Sequence, residues 1–182
     1  EYCIFENEEC SNASLYEVQF ENCKFNNISM ENGRMEKATF RDVVFERCNF
    51  SNTEFADTIF IRCEFNNCKL SGCSFAENRL YNILFIETNA NYANLSMASI
   101  ENILFKDMTL KNSYFQETKM KNVYFDNSDL TETQFFKTSL NGIDLSNSNI
   151  EKIGVSVEDI KGEIIAQFQE IDILHLIGVK VK

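Results

Sequence analysis

Proline and tryptophan are absent from this 182-residue chain, glycine occurs six times and histidine once. So little glycine leaves no glycine-rich phosphate loop, and neither a nucleophile elbow nor a metal-ligand spacing occurs. The single histidine, His175, is of a kind that more often packs or faces solvent than catalyses, and no chemistry is assigned to it. No run of apolar residues is long enough to span a bilayer, and no basic start leads into an apolar stretch. A cytoplasmic protein without membrane contact is therefore expected. The chain opens on Glu1 with no initiator methionine, as expected if residues were removed ahead of it.

What is present is a count of five. From Phe5 to Val155 every fifth residue is non-polar, and 15 of the 17 phenylalanines fall in this register. Neither a helix of period 3.6 nor a flat strand of period 2 puts residues five apart on one face; a five-residue side of a closed coil does. Two residues before each of these stands a mostly small residue, such as Ala13, Ala38, Thr53 or Cys63, which points to the same side of an extended segment and fills a narrow tube beside its large partner. The remaining three positions are mostly polar, as an outer surface requires. Asparagine recurs two residues after the central position (Asn7, Asn12, Asn22, Asn27), where the chain must turn a corner and asparagine tolerates turn conformations. Glu8 and Asn78 are polar exceptions at the small inward position; Glu8 marks a loose first coil, Asn78 a local irregularity.

Segments such as Ala93-Asn94-Leu95-Ser96-Met97, Ser128-Asp129-Leu130-Thr131-Glu132 and Ile143-Asp144-Leu145-Ser146-Asn147 resemble the consensus of the pentapeptide repeat family: a small residue, Asp or Asn, a central Leu or Phe, then two polar residues. The resemblance runs over residues 3 to 157 and implies an all-β, right-handed quadrilateral β-helix of about seven to eight coils, in which residues 20 apart stack. Phe25, Phe45, Phe65, Phe85, Phe105 and Phe125 then form one core column. At roughly 4.8 Å per coil the rod is about 37 Å long. The family members nearest in character are of the quinolone-resistance and mycobacterial fluoroquinolone-resistance type, although the loops inserted in some of them are missing here.

Of seven cysteines, Cys3, Cys23, Cys48, Cys63, Cys68 and Cys73 take the small inward position and Cys10 the central one. Packing explains that placement, since free cysteine behaves as a small hydrophobe. Parallel Cβ vectors on stacked neighbours suit a disulfide poorly, so reduced thiols are expected. The alternative, a metal cluster of Cys63, Cys68 and Cys73, has no histidine nearby and a filled core against it. No metal and no cofactor are expected.

The count fades at Ile153-Gly154-Val155, dividing a repeat domain (residues 1–155) from a C-terminal cap (156–182). Ser156 to Asp159 reads as a helix start with a capping-box-like pattern, giving a short helix to Lys161. A second helix over Ala166 to Ile177 carries Phe168, Ile171, Leu174 and Ile177 at helical spacing, widened by Ile173 and Leu176, with Gly178 as its C-terminal cap. Part of that face is expected to cover the last coil and part to pair with a second copy. The resemblance implies a homodimer through this segment, followed by a short strand at Val179-Lys180-Val181.

The net charge is −11, from 28 acidic and 17 basic residues. Sorted by side, the pentapeptides centred on residue 5 and every 20 thereafter carry −4, those from 10 carry −3, those from 15 carry −3, and those from 20 carry +2. The +2 wall owes its sign to Arg41, Arg62, Arg79, Lys119 and Lys121. Three acidic walls repel phosphate, which argues against direct nucleic-acid binding. An exposed wall also gives paired carboxylates no environment to tune a general acid, so the chain is read as a non-enzymatic binding protein. An acidic rod about as wide as a DNA duplex suits a DNA mimic, and the resemblance implies a type II topoisomerase, DNA gyrase or topoisomerase IV, as partner. The alternative is a structural scaffold for another protein, contacted through a stripe of Leu84, Leu104 and Tyr124 with Ile86 beside it.

Overall fold

The computed structural model describes residues 2–176 and 178–179. Twelve strands lie among them: β1 (Cys3–Glu6), β2 (Ser14–Tyr16), β3 (Gln19–Glu21), β4 (Cys23–Asn26), β5 (Arg34–Glu36), β6 (Thr39–Arg41), β7 (Val44–Glu46), β8 (Glu54–Ala56), β9 (Ile59–Asn66), β10 (Arg79–Ile86), β11 (Ser99–Lys106) and β12 (Lys119–Asp126). Every pair is parallel and every partner is 20 residues away, as in Cys63↔Ile83 and Phe85↔Phe105. Five residues to a side and 20 to a coil make a four-sided parallel β-solenoid. On one wall the bridge column climbs through eight residues, from Glu9 by way of Ser29, Asn49, Lys69, Asn89, Thr109 and Asp129 to Asn149.

The corners form because the residue two after each centre from Phe5 to Ile150, Leu145 excepted, adopts a left-handed backbone. Twenty-seven non-glycine residues have positive φ, between Asn7 and Lys152, and twelve of them are asparagine, the residue that bears this conformation most readily. Their amides also stack along the rod: Asn102 donates to Asn82 and Asn122 to Asn102, each at 2.8 Å. Eight-residue strands such as β10 pass straight through such a corner, at Asn82, so two adjacent walls share one continuous sheet.

Inside, the expected column is present. Phe25, Phe45, Phe65, Phe85, Phe105 and Phe125 are all buried, and their rings stack at 4.6 to 5.2 Å between centroids. Offset stacks of this kind add to plain apolar burial. The small inward position does more than fill space. Thr53, Thr88, Ser113, Ser128 and Thr133 each donate a hydroxyl to the carbonyl of a central residue 23 positions earlier, and Cys63 and Cys73 place their thiols on carbonyls in the same way. Asn78 is therefore no irregularity. It is buried, its amide donates to Phe55 O at 2.8 Å, and its Oδ1 accepts from Thr58 N at 2.9 Å.

The two ends differ from each other, and the C-terminal one also differs from expectation. The first coil is open: Cys3, Phe5, Glu8 and Cys10 are exposed, and an apolar hollow lies between Phe5, Leu15, Phe20 and Met30. At the other end the ladder continues past Val155, because Asp144 bridges Ile164 and Leu145 N donates to Ile164 O at 2.8 Å. The short helix expected from Ser156 to Lys161 is a run of turns. Its capping contact exists, with Asp159 N donating to Ser156 Oγ, but Ile160 and Ile165 keep the count of five and hold the chain in the coil. The second helix is shorter than the pattern suggests, a 3-10 turn (Gln167–Gln169) running into α1 (Glu170–Leu176). Gly178, with φ of 79°, ends it in a Schellman arrangement: Gly178 N donates to His175 O and Val179 N to Leu174 O, both at 3.0 Å. Ile177, Lys180 and Val181 lie outside the described residues.

Candidate functional site

With the interior filled, the surfaces available for recognition are the walls and the C-terminal segment. Register places Leu84, Leu104 and Tyr124 directly above one another on β10, β11 and β12. Because successive side chains of a strand alternate faces, each of the three points outward between two buried neighbours. Leu84 is 36% and Tyr124 59% exposed, with Leu104 half-buried between them. Ile86, two residues on, is half-buried beside Lys106 of the next coil.

A second apolar group escapes wall-by-wall reading of the sequence. Tyr114 and Phe136 are exposed on one wall, and the two corners that bound it in the preceding coil are Tyr92 and Met97, 60% and 54% exposed. Among the described non-glycine corners these two alone are apolar, and both hold a left-handed backbone, with φ of 62° and 60°. The signal was available: Tyr92 and Met97 break the polar run at the corner position, but they belong to pentapeptides assigned to different sides.

The charges are less evenly spread than a count suggests. On the wall with a basic sum, Arg41 pairs with Glu21 at 3.8 Å, Arg62 with Asp42 at 2.5 Å and Lys121 with Glu101 at 2.6 Å. The hydrogen bond from Arg62 holds the Asp42 carboxyl below its ordinary range, and the bond that Lys121 donates to Glu101 raises the Lys121 ammonium. Of the five cations expected to mark this wall, only Arg79 and Lys119 have no ion pair among the described residues. Several carboxylates elsewhere meet amides rather than cations and so keep their charge uncompensated: Glu31 with Asn49, Glu87 with Asn67, Asp107 with Asn127 and Asp126 with Asn147.

The C-terminal segment presents two faces. Gln169 is buried, its Nε2 bonded to Leu145 O and Ser148 O at 2.9 and 2.7 Å, while Ile173 and Leu176 pack on the core. Phe168, 75% exposed, and Ile171 point away, with Leu174 half-buried. Beside Phe168 a shallow groove runs over Asp107, Thr109, Asp129 and Asn149. Among the described residues no group of His, Cys, Asp and Glu is arranged to hold a metal ion, and no helix is long and apolar enough to cross a membrane.

Two family models match, one described as a pentapeptide repeat region over residues 58–135 and one as pentapeptide repeats in eight copies over residues 38–76. No curated protein sequence matches the chain. Among solved structures, a trypsin-treated form of QnrB1, described as a plasmid-mediated fluoroquinolone resistance protein, is 18% identical with 100% of each chain covered and a TM-score of 0.34. HetL, described as a pentapeptide repeat protein involved in heterocyst differentiation regulation from the cyanobacterium Nostoc sp. strain PCC 7120, is 11% identical over 90% of this chain and 91% of its own, with a TM-score of 0.39. A pentapeptide repeat protein of the Arabidopsis thaliana thylakoid lumen is 14% identical over 74% and 70%, with the same score. The two family models together span residues 38–135, more than half of the chain, and with the unbroken count of five they establish that it belongs to the pentapeptide repeat family.

Proposed function

We propose that the protein is a non-catalytic rod that binds a protein partner through its acidic walls, standing in for duplex DNA on a surface that otherwise holds DNA, with a type II topoisomerase such as DNA gyrase as the partner. The observation that carries this reading is the net charge of −11 on a solenoid whose one basic wall has three of its five cations neutralised by pairs within the wall. The uncompensated carboxylates around Glu87, Asp107 and Asp126 are then the groups that meet the partner's cations. Such attraction is long-ranged and screened by salt. The C-terminal face of Phe168, Ile171 and Leu174 is assigned to pairing with a second copy, which would double the acidic rod.

A supercoiling assay with purified gyrase, titrated with this protein with and without a fluoroquinolone at two salt concentrations, tests the reading. Inhibition of supercoiling, or relief from the drug, that weakens at the higher salt is the expected result. No effect at micromolar protein refutes it. A second reading, a scaffold for a different protein, is favoured by the stacked, outward stripe of Leu84, Leu104 and Tyr124. Binding that survives high salt and is lost in Leu104→Asn would select it.

A further inference from the structure

The wall centred on Phe75, Leu95, Phe115, Phe135 and Val155 differs from the other three in what it shows to solvent. One outward column on it runs through Ser74, Asn94, Tyr114, Gln134 and Gly154, each bridged to the next. The column beside it holds Ala76, Ser96, Gln116, Phe136 and Ser156, kept in line by corner amides such as Met97 N, which donates to Gln116 O at 2.8 Å. Across these five successive coils neither column carries a charge, whereas on each of the other walls no two successive coils lack a charged residue beside the centre. The wall's sum of −3 comes from its first three coils and from its corners. At the corners, Glu117 and Lys137 pair with each other at 2.7 Å, and Lys152 pairs with Glu151 at 2.9 Å, which leaves Glu77 and Glu132 as the rim's uncompensated charges.

The face is also built to be covered at little cost. Asn94 Oδ1 already accepts from Ser96 N at 3.0 Å, and Gln134 Nε2 donates to Glu132 O at 2.7 Å. Gln134 lies flat against Gly154, where a side chain would collide with it. Excluding water here therefore strands few polar groups. Tyr114 and Phe136 supply exposed apolar surface at its middle, and Tyr92 and Met97 supply more at its edges. The last two hold a left-handed backbone that is unfavourable to ordinary side chains, with most of their surface in solvent.

We propose that this wall pairs with the same wall of a second copy, the two rods lying side by side about a two-fold axis. Charge selects that occupant. A cationic partner gains more from an acidic wall, so a face without charge favours a partner that is itself anionic, and a second copy brings −11. Met through this face, two such rods set no carboxylate against another except at the rim. A two-fold contact requires a patch that complements itself, and here the small Ser74, Ala76 and Gly154 lie at the two ends of the face whose middle holds the large Tyr114 and Phe136. Five coils of about 4.8 Å by five residues of about 3.3 Å give about 400 Å² on each copy, or about 800 Å² in all. That area suits a weak, reversible contact rather than a permanent one. It uses no residue of the C-terminal segment and none of the acidic walls.

Sedimentation equilibrium of the full chain carrying Phe168→Asp, which takes the C-terminal face out of the comparison, tests this at up to about 300 µM protein in about 50 and 500 mM salt. A reversible dimer is expected, and its dissociation constant should fall about threefold or more at the higher salt, because screening weakens the repulsion between two anionic rods. Adding Tyr114→Glu, which sets a carboxylate in the middle of both faces, should raise the dissociation constant at least about tenfold. Phe136→Ser, which adds no charge, should also raise it, while Tyr124→Glu on another wall should not; unchanged thermal unfolding of each variant shows that the rod is intact. A monomer at every concentration and both salts overturns the proposal. So does a dimer that Tyr114→Glu and Phe136→Ser leave as tight, or one that higher salt loosens.

Discussion

Replacing Asn78 by leucine separates two accounts of the inward position. If that position only fills space, an apolar residue of similar size should stabilise the coil. The bonds say otherwise: Thr58 N and Phe55 O both depend on the Asn78 side chain, and in Asn78→Leu each is left buried without a partner. An unmet buried backbone group costs about 1–3 kcal/mol, and the added apolar burial returns at most about 2 kcal/mol. Taking about 2 kcal/mol for each of the two groups, the net loss is about 2 kcal/mol, or a fall in Tm of about 4–8 °C for a chain of this size. Asn78→Thr is the control, because Thr88 makes the equivalent pair of contacts, donating to Phe65 O and accepting from Cys68 N. It should stay within about 1 kcal/mol of the natural protein. Thermal and urea unfolding followed by far-UV circular dichroism measures all three, and a leucine variant as stable as the natural protein refutes the role assigned to these side chains.

The remaining predictions concern the corners and the thiols. Tyr92→Asn and Met97→Asn should each raise stability by roughly 0.5–1 kcal/mol, since a left-handed backbone costs an ordinary residue about 1–2 kcal/mol and asparagine less; a fall in the denaturation midpoint would show that these two side chains pack rather than await contact. Cys3 and Cys10 are exposed whereas Cys23, Cys48, Cys63, Cys68 and Cys73 are buried, and burial pushes the Cys63 thiol up to about 12. A thiol reagent at pH 8 should therefore label two sites in the folded protein and seven in urea, and rapid labelling of Cys63 in the folded state would contradict the closed core.

The register was legible because one residue type at one spacing carries it: Phe45, Phe65 and Phe85 can be 20 apart and buried together only in a coil of this size. The corners were legible for a related reason, that asparagine is a residue with a backbone preference strong enough to mark a position. The polar side chains inside were not. Asn78 looks like a defect in the column, and Thr88 like a mere small filler, until the carbonyl each one meets, 23 residues earlier, is placed beside it. The end of the solenoid was misplaced because a local signal, Ser156 with Asp159, competed with a weaker continuing one, Ile160 and Ile165, and the local contact formed without its helix. The stripe of Leu84, Leu104 and Tyr124 followed from arithmetic, whereas Tyr92 and Met97 sit at corners and belong to two walls at once.

Since each coil bonds to its neighbours 20 residues away, the chain has an unusual tolerance for changes of length. A duplication of 20 residues would lengthen the rod and leave every column in line. An insertion of five would also keep the core filled, yet it would swing everything after it by a quarter turn, so that the stripe that includes Leu104 would be split between two sides and acidic columns would continue as basic ones. Descent with such insertions can thus rewrite what a surface presents while hardly touching what holds it up, and the uninterrupted count from Phe5 to Ile165 records a surface whose columns have been kept whole.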